Sequence, residues 1–466
     1  MLALTIKKEW QESLREGRLF WIGFIILLLM TSVMFTSWYG HKNVVQQKQQ
    51  VIESERKRWL EQGEKGPHSA AHYGVYVIKP NSLMSVIEPG LNAYQGHTLL
   101  LEAHKRNDSL FRPIQDAIPM QRFGELTPSF ILQTLLPLLI ILFGFHVFAG
   151  ERESGTLKQL LATGADPKTL FIAKTCALLG LSAVFFIPLL AYFFISGTIV
   201  QSFDWARGSL FILTYLMYSF IWAMLTVIIS VFAKTARTAL TLLLIVWSMS
   251  CLILPKMAIE WSTLLNPIDS TREFQSRLKS EVNTPERQQA INRFKQQTLE
   301  THNVTQPADL PFDWSGASLQ FSEEYADKIF DRLFGERSQI LQAQTKYYQN
   351  FAILSPLISV QNLSMAAAAT DLSHHQWFIN AAEIHRRLIQ KTLNNNLKDQ
   401  GHKTTSKYTA DKDLWQKIPK FDYAQPALST VIPHYVNALA LLVFWLVITL
   451  FGSKIAINRL FKEGHV

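Results

Sequence analysis

Residues 126–161 read LTPSFILQTLLPLLIILFGFHVFAGERESGTLKQLL, and this stretch decides the fold. Leu126–Ala149 contains no Asp, Glu, Lys or Arg, and it exceeds the roughly 20 residues that a helix needs to cross the hydrocarbon of a bilayer. The run ends abruptly at Gly150-Glu151-Arg152-Glu153-Ser154-Gly155-Thr156-Leu157. An acidic-basic-acidic triplet with a glycine two positions later places a short polar turn at the water boundary. Thr156-Leu157-Lys158-Gln159-Leu160-Leu161 then starts a small amphipathic helix. The combination forms an exposed, rigid knob suited to gripping a partner outside the membrane.

Five further stretches are apolar and uncharged: Leu19–Trp38, Thr175–Phe203, Gly208–Ala233, Thr238–Pro255 and Ala427–Ser453. Thr238–Pro255 is the shortest and spans when extended to Ile259. Backbone in lipid must satisfy its own hydrogen bonds, so six such runs mean six helices. The expected class is an all-α polytopic membrane protein with a mostly helical extracytoplasmic domain. Its expected divisions are an interfacial helix (1–18), span one (19–38), a first outer segment (39–125), span two (126–149), a cytoplasmic loop (150–174), span three (175–203), span four (208–233), span five (238–259), a second outer segment (260–426), span six (427–453) and a cytoplasmic tail (454–466). The first run is no cleavable signal: a polar, mixed-charge stretch precedes it, and it lacks a small-x-small cleavage site.

The formal net charge of +9 is a topology signal. Basic residues flank the spans at Lys7, Lys8, Arg15 and Arg18; at Arg152, Lys158, Lys168 and Lys174; at Lys234 and Arg237; and at Lys454, Arg459 and Lys462. The connection between spans three and four has only Arg207, beside Asp204. The positive-inside rule therefore puts both termini in the cytoplasm. Scattered over four membrane flanks, these charges do not form the patch that nucleic-acid binding requires. Both cysteines, Cys176 and Cys251, fall in spans, so no disulfide staples the outer segments.

Leu2, Ile6, Trp10 and Leu14 recur near helical spacing and predict a helix on the membrane surface. Lys42–Gln62 reads as a polar helix continuing span one outward. Pro67, Pro80, Pro89-Gly90 and Gly96 then break the chain into short pieces, and Leu99–Lys105 reads as helix. The second outer segment carries helical patterns at Ser270–Glu300, Ser322–Asn350 and Ser355–Asn395, with turn signals at Pro307, Pro311, Gly316 and Gly335. The two outer segments are expected to pack together.

No Gly-rich loop ending in Gly-Lys-Ser or Gly-Lys-Thr is present, nor a His-Glu-x-x-His helix, nor a Gly-x-Ser-x-Gly elbow, so the chain does not cradle nucleotide and has no familiar catalytic constellation. The uncharged spans disfavour a self-powered, ion-coupled transporter. His146 in span two reads as a helix–helix hydrogen-bonding residue. His68 and His72 lie four apart, with His97 and His104 downstream near Glu102. This spacing is compatible with an outer metal site, but exposed histidines beside prolines are common and no metal is assigned. Adjacent His374 and His375 carry less still. Spans three and four are rich in aromatics (Phe185, Phe186, Tyr192, Phe193, Phe194, Tyr215, Tyr218, Phe220 and Trp222), read first as packing or lipid-facing surface and second as a groove for an amphipathic substrate. Pro137 and Pro188 are expected to kink spans two and three.

Glu151-Arg152-Glu153-Ser154-Gly155-Thr156-Leu157, followed by Gly164-Ala165-Asp166-Pro167 and Lys174, resembles the hallmark of type-2 ABC transporter permeases. Pro67–Gly74, Pro89-Gly90, Leu101–His104, Arg122–Pro128, Leu354–Pro356 and Ala368–Leu372 with His374-His375 are similar to one subfamily with two large outer insertions and no known substrate. The resemblance covers nearly the whole chain. It implies a non-catalytic permease in a bacterial inner membrane, paired with a second copy or a paralogue and driven by a separate cytoplasmic ABC ATPase that holds the ATP and Mg. Residues 151–157 would form the coupling element, their carboxylates meeting basic or backbone donors on the ATPase. An importer's Glu-Ala-Ala loop is not visible, so export is the expected direction. A periplasmic partner of the outer domain, worked mechanically without transport, is the alternative.

Overall fold

The computed structural model describes residues 2–15, 17–110, 112, 126–199, 203–403 and 407–464. Two parts of the reading above, Arg122–Glu125 before span two and residues 200–202 of span three, lie outside the described residues. The chain is an all-α polytopic membrane protein, 78% helical. Six helices are long and apolar enough to cross a membrane: Phe20–Leu60, Pro128–Glu153, Pro167–Thr198, Trp205–Phe232, Ala236–Leu265 and Leu428–Glu463. Here they are spans one to six. One end of the bundle gathers the N-terminal helix Leu2–Arg15, the loop after span two, the short link from span four to span five and the C-terminal end of span six. This is called the proximal end, and the two long insertions form a distal domain at the other.

Span four is the axis. Its buried residues include Phe211, Tyr215, Tyr218, Trp222 and Val227, and it packs against spans two, three and six. The prolines shape the bundle in a specific way. A proline has no N–H and clashes with the carbonyl four residues back. Before Pro137 the helix widens to a π-turn at Ile131–Leu135. The freed carbonyl of Gln133 accepts a 2.9 Å hydrogen bond from the Tyr218 hydroxyl of span four. Span five widens likewise at Met249–Ile253, just before Pro255. Span three tightens to a 3₁₀ turn at Val184–Phe186 ahead of Pro188.

Span one does not stop at Trp38. It continues without a break to Leu60, and Trp59 donates its indole N–H to the carbonyl of Trp415 at 3.0 Å. Span one is therefore one continuous helical link from the bundle into the distal domain. The main seam of that domain lies between the long helices Trp314–Asn350 and Leu372–Gly401. Arg386 is buried there among Glu323, Asp327 and Glu383, with Arg387 bridging to Asp331.

Several expectations need correction. Leu99–Lys105 is no helix: Thr98–Leu101 is a strand antiparallel to Val75–Ile78, with Val77 opposite Leu99, and a turn follows. The inward row of Val77, Leu99 and Leu101 packs beneath Trp59, a period of two that a short apolar run conceals. Ser270–Glu300 is two helices, Thr271–Val282 and Pro285–Thr301, because Thr284 and Pro285 start a new cap. Ser355–Asn395 is also two, broken where Ala369 turns left-handed and Asp371 caps the second. Gly316 and Gly335 mark no turns and lie within Trp314–Asn350. At Gly316 a Cβ would stand 2.3 Å from the backbone nitrogen of Lys398, so the glycine allows helix contact rather than a bend.

Candidate functional site

The polar loop is built from two short helices, Ala149–Glu153 and Thr156–Ala162, hinged at Ser154-Gly155. Gly155 is left-handed (φ 78°), with open space where a Cβ would stand. Glycine serves here for the backbone angle alone, and its N–H caps the carbonyl of Arg152.

The three charges of the triplet work mostly inward. Glu151 meets the buried Lys174 of span three at 2.9 Å, and Lys174 also meets Glu9 of the N-terminal helix at 2.6 Å. Lys8 approaches Glu151 at 3.5 Å. The guanidinium of Arg152 forms a fork on Glu463 at 2.9 Å and donates to the carbonyl of Ala233 at 2.8 Å. Glu153 accepts from the backbone N–H of Ala236, at the start of span five, at 3.0 Å. These contacts tie the loop to both termini and to spans three to six. Within the chain Glu151 is tied to Lys174 and Lys8, whereas Glu153 is exposed while accepting from Ala236. Leu157 and Leu161 are buried and seat the second helix on the bundle. The outward surface consists of Glu153, Ser154, Gly155, Thr156, Lys158 and Gln159. Ser154 and Thr156 share a 2.9 Å hydrogen bond, and Thr156 donates to the carbonyl of Glu151, so the knob is pre-shaped.

Sequence reasoning found the motif and Lys174 but not their pairing, and nothing in the sequence marked Glu9 or Glu463 as partners. It also missed two polar joints at the other end. Arg207, read as a loop charge, is buried and donates to the carbonyls of Ala366 (2.8 Å) and Pro426 (2.6 Å), with His374 at 3.2 Å. It thereby neutralises the C-terminal end of the helix Pro356–Ala368, which is wedged against spans four and six. Glu88 of the first insertion reaches into the bundle. It accepts from Ser364 (2.6 Å), Gln133 (2.9 Å) and the backbone of Gly90 (3.1 Å). Burial pushes the Glu88 carboxyl up, opposed by these hydrogen bonds.

The remaining candidates separate cleanly. Most of the aromatics of spans three and four, Phe185, Phe186, Tyr192, Phe193, Tyr215, Tyr218 and Trp222, are buried core, while Phe194 is exposed. His146 stacks edge-on against Phe145. His375 is buried and held down to about 3 by burial, with Lys79 and Arg112 adding to the effect. His68, His72 and His104 come together, whereas His97 does not join them.

Six spans of this layout and a rigid polar loop locked to both termini define a multi-pass membrane subunit of the transport class. The chain belongs to the family described as ABC-2 family transporter protein, whose model matches residues 4–463. It is thus a membrane subunit of an ABC transporter, from a family of generally non-catalytic chains that work with ABC ATPases. No curated protein matches the chain, and no solved structure does.

Proposed function

We propose that the chain is the permease of an ATP-driven exporter in a bacterial inner membrane, with the proximal end and both termini in the cytoplasm. A separate ATPase binds ATP and Mg and receives residues 151–157 as the coupling element. The observation that carries this reading is the wiring of the loop. One short segment is tied by Glu151 to the N-terminal helix and span three, by Arg152 to span six and the end of span four, and by Glu153 to span five. A push on Ser154–Gln159 therefore reaches five elements at once. A second permease copy or a paralogue completes the pair.

The mechanical alternative rests on a different feature, the unbroken helix from Phe20 to Leu60 that ends in the distal domain. In that reading the stroke acts on a periplasmic partner and nothing is transported. A gentle detergent pull-down of the tagged protein from native membranes, with mass-spectrometric identification, tests the proposal. A co-purifying soluble ATPase with a phosphate-binding loop is the expected result. A stable envelope partner without any ATPase would overturn it.

A further inference from the structure

Three histidines from two elements of the first insertion converge in the distal domain. His68 and His72 occupy one face of the helix Pro67–Tyr73, one turn apart, and their Nε2 atoms stand 3.1 Å from each other. His104 joins them from the turn after the second strand, where it adopts a left-handed backbone (φ 61°). That turn is pinned to the histidine helix by a hydrogen bond from the Ala103 N–H to the carbonyl of Ala71 at 3.1 Å. The three ring centroids lie 4.6 to 5.1 Å apart, and one nitrogen from each ring lies within 4.8 Å of the others.

The orientation of the third ring is set from the second insertion. Glu323, 2% exposed, places Oε1 at 2.5 Å from His104 Nδ1 and accepts the backbone N–H of His104 at 3.0 Å. Its other oxygen is held by Arg386 at 3.4 Å. A buried carboxylate beside Nδ1 leaves Nε2 as the ring nitrogen for a metal, and outer carboxylates support histidine ligands from the side opposite the metal.

We propose that His68, His72 and His104 form a binding site for a divalent transition metal of the zinc type, with Glu323 as the orienting carboxylate. Tetrahedral zinc with bonds of about 2.0–2.1 Å places its nitrogen ligands about 3.3 Å apart, and the His68–His72 pair, at 3.1 Å, stands close to that separation. Three imidazoles with no carboxylate among the ligands select zinc, copper, nickel or cobalt over magnesium or calcium. His72 is exposed and the other two are half-buried. A three-histidine site of this kind keeps a fourth position open to solvent, so the metal exchanges and accepts an outside ligand. Because the rings come from the first insertion and their carboxylate from the second, bound metal also stiffens the joint between the two.

Cobalt(II) is the direct probe. Full-length protein, purified through a histidine-free tag and stripped with chelator, is titrated with Co²⁺ while visible d–d absorption is followed. One equivalent with tetrahedral bands, displaced by one equivalent of Zn²⁺, is expected. Removing an outer carboxylate of this kind costs about 10–100-fold in affinity, which is the loss expected for Glu323→Gln. His72→Ala and His104→Ala remove ligands and should lose at least about 100-fold. His72 is exposed, so H72A should retain the melting temperature of the stripped parent and report on binding alone. Absence of stoichiometric bands in the parent protein, or bands undiminished in H72A, would overturn the proposal.

Discussion

Lys174 is the residue on which the proximal end turns. Its side chain is 1% exposed and lies between Glu9 and Glu151. Breaking a buried ion pair by removing one partner costs about 3–5 kcal/mol, because the survivor remains buried and unpaired. Lys174→Met should therefore loosen the loop strongly and lower the thermal midpoint in detergent. Glu151→Gln should do so less, since Glu9 remains. The double variant should lose less than the sum of the two singles, by about 0.5–3 kcal/mol of coupling. Strictly additive losses would mean that the loop is held by something other than this pair. The types of these residues were readable in the sequence: a triplet of alternating charge, a glycine, and a lysine ahead of span three. Their pairing was not, because Glu9 and Glu463 are brought in by tertiary packing and carry no local signal.

At the scale of elements, length and apolarity made the six spans legible, since a bilayer imposes a minimum run of uncharged residues. Pro356–Ala368 shows where that criterion fails. It is apolar enough to be buried but too short to span, and the sequence placed it in the second outer segment. It packs against spans four and six, where Arg207 covers its C-terminal carbonyls. The strand Thr98–Leu101 was missed for a related reason: four apolar residues carry too few periods to separate a strand from a helix. The distal seam gives a sharper test. Arg386→Met would remove the central cation of the cluster, leaving Asp327 and Glu383 to Arg387 alone and Glu323 beside His104 only, a loss somewhat below the roughly 3–5 kcal/mol of a fully orphaned buried charge. Hydrogen exchange should then rise in Trp314–Asn350 and Leu372–Gly401 and stay unchanged in spans two and four. Unchanged exchange in those two helices would show that the seam is held by apolar packing alone.

Across the whole molecule, buried polar joints sit at both ends of the bundle and apolar packing lies between them. The most apolar 18-residue stretches of spans two and four are 67% and 56% buried within the chain, against 17%, 28% and 22% for those of spans one, five and six. The latter three therefore leave broad apolar faces for lipid or for a second permease, and the central pair carries the fold. Span one runs the full height from the proximal end to Trp59, where it meets the second insertion at Trp415. The knob itself is tied to the N-terminal helix and to spans three to six, and the distal domain holds the three-histidine cluster. The central claim is that an ATPase sits on that knob. The most direct measurement places a single cysteine at Thr156 in a chain whose two native cysteines, Cys176 and Cys251, have been replaced, and treats native membranes with a thiol–amine cross-linker. A cross-linked product containing a phosphate-binding-loop ATPase is expected from Thr156→Cys and none from Tyr94→Cys, an exposed position in the distal domain. Failure of Thr156→Cys to capture the ATPase, or its capture from Tyr94→Cys instead, would contradict the account.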